Sequence, residues 1–279
     1  MHTEVPSLHH MHCMEIWGGN SLADNAICTP GLDVSVICRP LDGAGGDVHY
    51  VSLCGGGLIT RILLADVSGH GTPASAIAGD LRKLMRRFIN TKCQDRLISR
   101  LNDRMKAWSH NGLFATLLVA TYRASTRQLM LSNAGQPRPL LYRAATRTWE
   151  LIDHSPGHLT GLSDLPLGVL RGTSYNQSSI ELQPDDRVIL YTDLLMETRK
   201  RAGIPLGEEG VLAAIRRIPL SEQSVIQDLL HEILTDVSFD SPTDDVTILE
   251  LRHNGDGPQP PSLAGKFRIY AKVFGLTRT

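Results

Sequence analysis

A mixed α+β fold with antiparallel strands is what this sequence predicts, on three grounds. Short apolar runs alternate at period two, as in Leu32, Val34, Val36 and Cys38, the mark of strands with one buried face. Tight glycine turns separate such runs, most plainly Gly55-Gly56-Gly57, and a turn that short joins antiparallel neighbours. Two longer segments, 73–90 and 95–110, instead space their apolar residues as helices do.

Taken in order, residues 1–30 read as an irregular N-terminal extension with a short strand at Met14–Trp17. His9, His10, His12 and Cys13 lie there, and without a distal ligand pair they read as a polar leader rather than a metal site. From Leu32 the texture becomes β. A loop of small residues, Asp42 to Asp47, leads into strands at 48–54 and 58–66. The second strand opens the stretch Ile62–Gly71, I-L-L-A-D-V-S-G-H-G. Four apolar residues indicate a strand buried on both faces, and Asp66 at its end needs a cation or several donors. Gly69 and Gly71 allow a sharp turn, with Thr72 as the expected N-cap and Pro73 as first helical residue. The helix over 73–90 turns Ile77, Leu81, Leu84, Met85 and Phe88 inward. Arg82, Lys83, Arg86 and Arg87 fall outside that stripe and read as a solvated face rather than a phosphoprotein dock. The helix over 95–110 buries Leu97, Leu101, Met105 and Trp108.

Strands follow at 114–122 and 128–133, then a turn at Ala134–Pro137 and a hairpin of 140–143 with 148–152. Residues 153–166 read as a surface loop, with short strands at 167–169 and 178–182. Arg187–Asp193, R-V-I-L-Y-T-D, repeats the earlier design of an apolar strand delivering an acid. Helices are expected at 208–218 and 221–238. Thr243–Leu251 reverses the order, with Asp244 and Asp245 before the strand, so an antiparallel neighbour would bring them beside the other strand ends. A Gly- and Pro-rich linker at 254–261 and a basic tail from Lys266 complete the chain. The division expected is an extension over 1–30, one domain over 31–252, and linker plus tail over 253–279.

Bulk properties narrow the classes. Of 279 residues 42% are hydrophobic, enough for a core, and the net charge of −1 argues against a chain built to hold nucleic acid or an anionic membrane. Five cysteines without a C-x-x-C pair exclude a zinc knuckle and fit a reducing cytoplasm better than a disulfide framework. No apolar stretch approaches the roughly 20 residues of a membrane helix, and no signal peptide is read, so the expected place is cytoplasmic.

Four acids thus stand at strand termini: Asp47, Asp66, Asp193, and Asp244 or Asp245. Buried together they would repel by about 4 kcal/mol per close pair at an effective dielectric near 20. Divalent cations resolve that conflict, and all-oxygen ligands select Mg²⁺ or Mn²⁺ over zinc. Two such ions can activate a water and clamp both oxygens of a phosphoryl transfer.

The ordered motifs G-G-D47, D66-V-S-G-H-G, Y-T-D193 and D244-D-V-T, with F-A-T116 and S-N-A-G135 between them, closely resemble the metal-dependent PPM-type (type 2C) serine/threonine protein phosphatases, in their sporulation-stage-II-E and stress-regulator branch. The resemblance runs from about Gly31 to Arg252. It implies a four-layer α-β-β-α sandwich of two antiparallel sheets flanked by helices. It implies that Asp66 bridges two metal ions, Mn²⁺ or Mg²⁺, with the Val67 carbonyl as a further ligand, and that Asp47, Asp193 and Asp244 complete the cluster, Asp245 being the alternative to Asp244. His70 becomes a candidate proton donor. The implied substrate is phosphoserine or phosphothreonine on a small regulator of the anti-anti-sigma kind. Three positions depart from the branch pattern: Tyr50 where a further acid is common, Gln136 where a His follows A-G, and Leu194 where Gly follows Y-T-D. They keep open a catalytically weak module that acts by binding a partner. A metal nuclease is disfavoured by the lack of a long basic stripe.

Overall fold

The computed structural model describes residues 8–41, 43–69, 71–89, 91–108, 112–153, 162–199, 203–235 and 244–257. Two sheets stack face to face. The larger contains β1 (Leu8–His10), β3 (Ala23–Thr29), β4 (Leu32–Arg39), β13 (Val246–Arg252), β12 (Arg187–Tyr191), β9 (Leu140–Arg143) and β10 (Thr148–Leu151), in that spatial order. The smaller runs β11 (Ser178–Glu181), β8 (Gln128–Ala134), β7 (Ala115–Arg123), β6 (Ile59–Val67), β5 (Ala44–Cys54) and β2 (Ile16–Ser21). Every pairing between these strands is antiparallel except β1 with β3. Helices α1 (Thr72–Phe88) and α2 (Gln94–Trp108) cover the smaller sheet; α4 (Gly207–Ile215) and α5 (Ile226–Thr235) cover the larger. The expected four-layer α-β-β-α sandwich is therefore the observed fold.

Strand alternation explains the layers. Along β6, Ile62 and Leu64 point between the sheets while Leu63, Ala65 and Val67 point under the helices. Both sets are buried, which is why this strand reads as an unbroken apolar run. The middle layer joins Val34, Val36, Leu118, Leu131, Val188 and Leu249 into one core.

Several expectations need correction. Residues 8–29 are not irregular but supply β1, β2 and β3. Glycines and polar residues hide their periodicity, and tertiary packing sets their conformation. Gly18 has φ 120, and a Cβ there would run into the His49 carbonyl across the β2–β5 pair. The polar leader forms a local cluster: His9 Nε2 lies 2.8 Å from Glu15 Oε1 and its ring stacks on Trp17. Gly71, not Thr72, holds the N-cap position of α1, with φ 75. Residues 167–169 make one bridge, Leu167 with Ala115, rather than a strand. A four-residue helix α3 (Leu194–Glu197), too short for a periodic signal, follows β12. The basic tail lies outside the described residues. All five cysteines are free, and no described helix is long and apolar enough to cross a membrane.

Candidate active site

Antiparallel pairing of β5 with β6 sets Asp47 directly opposite Asp66. The motif turns gather around this pair. Thr116 of β7 is opposite Asp66 and its hydroxyl donates to the Asp66 carbonyl at 3.4 Å. The Ser68 N–H donates to the Phe114 carbonyl at 2.9 Å, pinning the loop after Asp66. The S-N-A-G segment is a turn closed by the Gln136 N–H on Asn133 Oδ1 at 2.7 Å. Its Gly135, at φ 89, leaves room for Pro166 and Thr116. These residues shape the backbone beside Asp66 without presenting a charge.

The second half of the site comes from the larger sheet. β12 and β13 are antiparallel, so the end of one lies beside the start of the other, as the reversed motif predicts. Thr192 and Thr247 join them: the Thr192 N–H donates to the Thr247 carbonyl at 3.1 Å, and the Thr247 N–H donates to Thr192 Oγ1 at 3.0 Å. Thr192 Oγ1 then donates to Asp47 Oδ2 at 2.9 Å, so a fully buried hydroxyl links the two sheets at the acid cluster. Neither threonine was singled out from sequence, although both sit beside motif acids in Y-T-D and D-D-V-T.

Asp244 and Asp245 separate clearly. Asp245 Oδ1 accepts the Leu41 N–H at 2.6 Å, and its Oδ2 accepts the Gly46 N–H at 2.5 Å. A side chain at Gly45 would occupy the space of this carboxylate, which accounts for glycine there. Asp245 therefore clamps the entry to β5. Asp244 accepts the Asp245 N–H at 2.8 Å through Oδ1 and is otherwise exposed. At Gly46 the Val67 carbonyl and Asp66 Oδ1 converge, at 3.1 and 3.7 Å from the point a Cβ would take.

Charge is concentrated without a cation. Burial, then the charges of Asp193, Asp244, Asp245 and Glu197, pushes Asp66 up to about 7. Burial, then Glu197 and Asp244, pushes Asp193 up to about 6. Asp47 is raised by burial and by Asp66, against the lowering effect of Thr247 and Thr192. Glu197 escaped the sequence reading; one helical turn after Asp193, it adds a sixth acid to the field. His70 lies outside the described residues. Among the described residues, no three His, Cys, Asp or Glu side chains are set closely enough to hold an ion as they stand. The donor chemistry nevertheless fits a hard divalent cation: carboxylates, a backbone carbonyl, and mutual repulsion that a cation would relieve. Two of the three departures are accommodated locally. Tyr50 accepts from Arg82 Nε at 3.3 Å and Leu194 is buried at the start of α3, whereas Gln136 is buried with its side-chain amide unpaired among the described residues.

This double-sheet sandwich, with acids at strand ends, is the architecture of the PP2C class. The PP2C phosphatase domain of SpoIIE from Bacillus subtilis superposes with a TM-score of 0.67 at 15% identity, over 80% of this chain and 64% of that one. A structure of RsbX in complex with magnesium superposes with a TM-score of 0.58 at 16% identity, over 82% of this chain and 99% of that one. The chain belongs to the stage II sporulation protein E (SpoIIE) family, whose model matches residues 59–254. That span includes Asp66, Asp193, Asp244 and Asp245 but not Asp47. Among curated relatives, the phosphoserine phosphatase RsbU of Bacillus subtilis (strain 168) is 22% identical over 222 residues, 79% of this chain and 63% of RsbU. The chain thus spans less than two thirds of that relative's length.

Proposed function

We infer that the chain is a divalent-metal-dependent protein phosphatase acting on phosphoserine or phosphothreonine of a small regulator of the anti-anti-sigma kind. The observation that carries this reading is the gathering of Asp47, Asp66, Asp193 and Asp244 from two sheets into one field of mutual repulsion. Family membership and the phosphatase fold support it. RsbU's name supports the phosphoserine substrate.

In this reading Asp66, the Val67 carbonyl, Asp47, Asp193 and Asp244 would hold the Mn²⁺ or Mg²⁺. Asp244 is preferred to Asp245, whose two oxygens already accept backbone N–H groups. When bound, the ions supply Lewis acidity and lower the pKa of a water. The protein's own part is positioning. Thr192 orients Asp47, Thr116 fixes the backbone of Asp66, and the departing seryl oxygen takes its proton from His70 or solvent. Release of phosphate from a phosphoserine peptide in Mn²⁺, its loss with a chelator, and its recovery on adding Mn²⁺ back are the expected results. Full activity in an Asp66→Ala protein would refute the mechanism. Asp244→Asn should weaken Mn²⁺ uptake more than Asp245→Asn, read by calorimetric titration.

The departures at Tyr50, Gln136 and Leu194 motivate one second reading, a phosphatase-fold module acting by partner binding. Calorimetry separates the two: no Mn²⁺ uptake at all would select the module.

A further inference from the structure

The layer over the smaller sheet is strongly basic. Between Thr72 and Trp108 stand nine lysines and arginines against three acids, a formal +6 in a chain of net charge −1, so the remaining residues carry −7. The charges are ordered. On α2, Arg96, Arg100 and Arg104 follow one another at i, i+4 spacing, which places them on one stripe. On α1, Lys83 and Arg87 do the same. The stripes meet at half-buried Phe88, where the Arg87 and Arg100 guanidinium carbons lie 5.8 and 5.7 Å from the ring centre. All five cations are exposed. Among the described residues the ion pair on this layer is Lys83 with Asp80, and no carboxylate meets the arginines. Apart from Lys83, the cations of the two stripes have no counter-charge in contact among the described residues, and like charges held side by side lose stability. A solvated face has no need of that arrangement.

Resting on the phosphatase reading above, we propose that the Lys83–Arg87–Arg100–Arg96–Arg104 surface docks an acidic segment of the phosphoprotein substrate. Its position suits the task. α1 begins six residues after Asp66, and Arg87 lies roughly 22 Å along that helix, a distance that about seven extended residues cover. The acidic remainder of the chain favours a compact acidic protein over a long nucleic acid or a membrane plane, either of which would overrun the patch.

Two phosphoserine peptides test this, one extended by about ten glutamates and the other by as many glutamines. The glutamate peptide should show a KM roughly tenfold lower in low salt, an advantage that disappears in about 0.5 M salt. R96E/R100E/R104E should turn over both peptides alike, while R96K/R100K/R104K keeps the preference; melting temperatures check that both variants are folded. Equal KM values for the parent, or a preference surviving charge reversal, would overturn the proposal. So would tighter binding of the same arginines to a short DNA duplex or to phosphatidylserine vesicles. If neither peptide nor p-nitrophenyl phosphate is hydrolysed, the phosphatase reading fails by itself. Anisotropy of the labelled glutamate peptide then decides docking: binding lost on charge reversal upholds it, and unchanged binding overturns it.

Discussion

Carboxylates are buried at two places in this molecule, and the protein treats them in opposite ways. At one end of the larger sheet Glu250 is 2% exposed and pairs with Arg187 at 2.8 Å, while the Val225 N–H and the Ser224 hydroxyl complete its shell. Asp186, equally buried, accepts from Arg143, Ala144 and Gln183. At the other end Asp47, Asp66 and Asp193 face one another, with hydroxyl donors at Asp47 and no cation among the described residues. The first arrangement is complete within the chain. The second has no such partner among the described residues, and the proposed divalent cations would supply it.

Substitution should act with opposite signs at the two ends. Asp66→Asn is expected to lower phosphate release by roughly a hundredfold or more, while the metal-free protein melts at the same or a higher temperature because repulsion is relieved. A marked loss of metal-free stability would erase the contrast. Arg187→Met should instead cost about 3–5 kcal/mol in urea unfolding, by leaving Glu250 buried without its partner. An unchanged midpoint would mean that the pair is not what holds this end.

Acidity sharpens the same contrast. Asp66 and Asp193 titrate near 7 and 6 in the folded chain, against an ordinary 3.8. The folded protein therefore holds protons that the unfolded chain has released, and the two groups lower stability as pH rises from about 4 to about 7. Metal-free melting temperature should fall across that window, with a stabilisation by Mn²⁺ that grows with pH. A rise would contradict the assignment. The smallest effect belongs to Glu15. Burial raises it, but hydrogen bonds from His12, Trp17 and His9 outweigh that and hold it at about 2 against 4.5. Its contribution is present above about 4.5 and lost as pH falls toward 2. Glu15→Gln should remove only that acid-side slope, seen by fluorescence of Trp17.

Much of the site could be read from sequence because its chemistry is local. An apolar run that ends in Asp66 or Asp193 names both a strand and its charged end. The reversed order at Asp244 even predicts the antiparallel neighbour. The different surroundings of Asp244 and Asp245 could not be read, since Asp245 meets Leu41 and Gly46 some 200 residues earlier in the chain. The strands over 8–29 were equally opaque. Gly18 and Gly19 look like breakers until the His49 carbonyl occupies the space a side chain would need. Glu197 was missed because a single helical turn leaves no period.

The hydroxyl of Thr192, reaching from one sheet to Asp47 on the other, has a mechanical corollary. Asp47 and Asp66 travel with the smaller sheet; Asp193 and Asp244 travel with the ends of β12 and β13. Any slippage between the sheets alters the gap the acids enclose, so under the proposed reading cation uptake would double as a gauge of sheet alignment, with Thr192 as its pin.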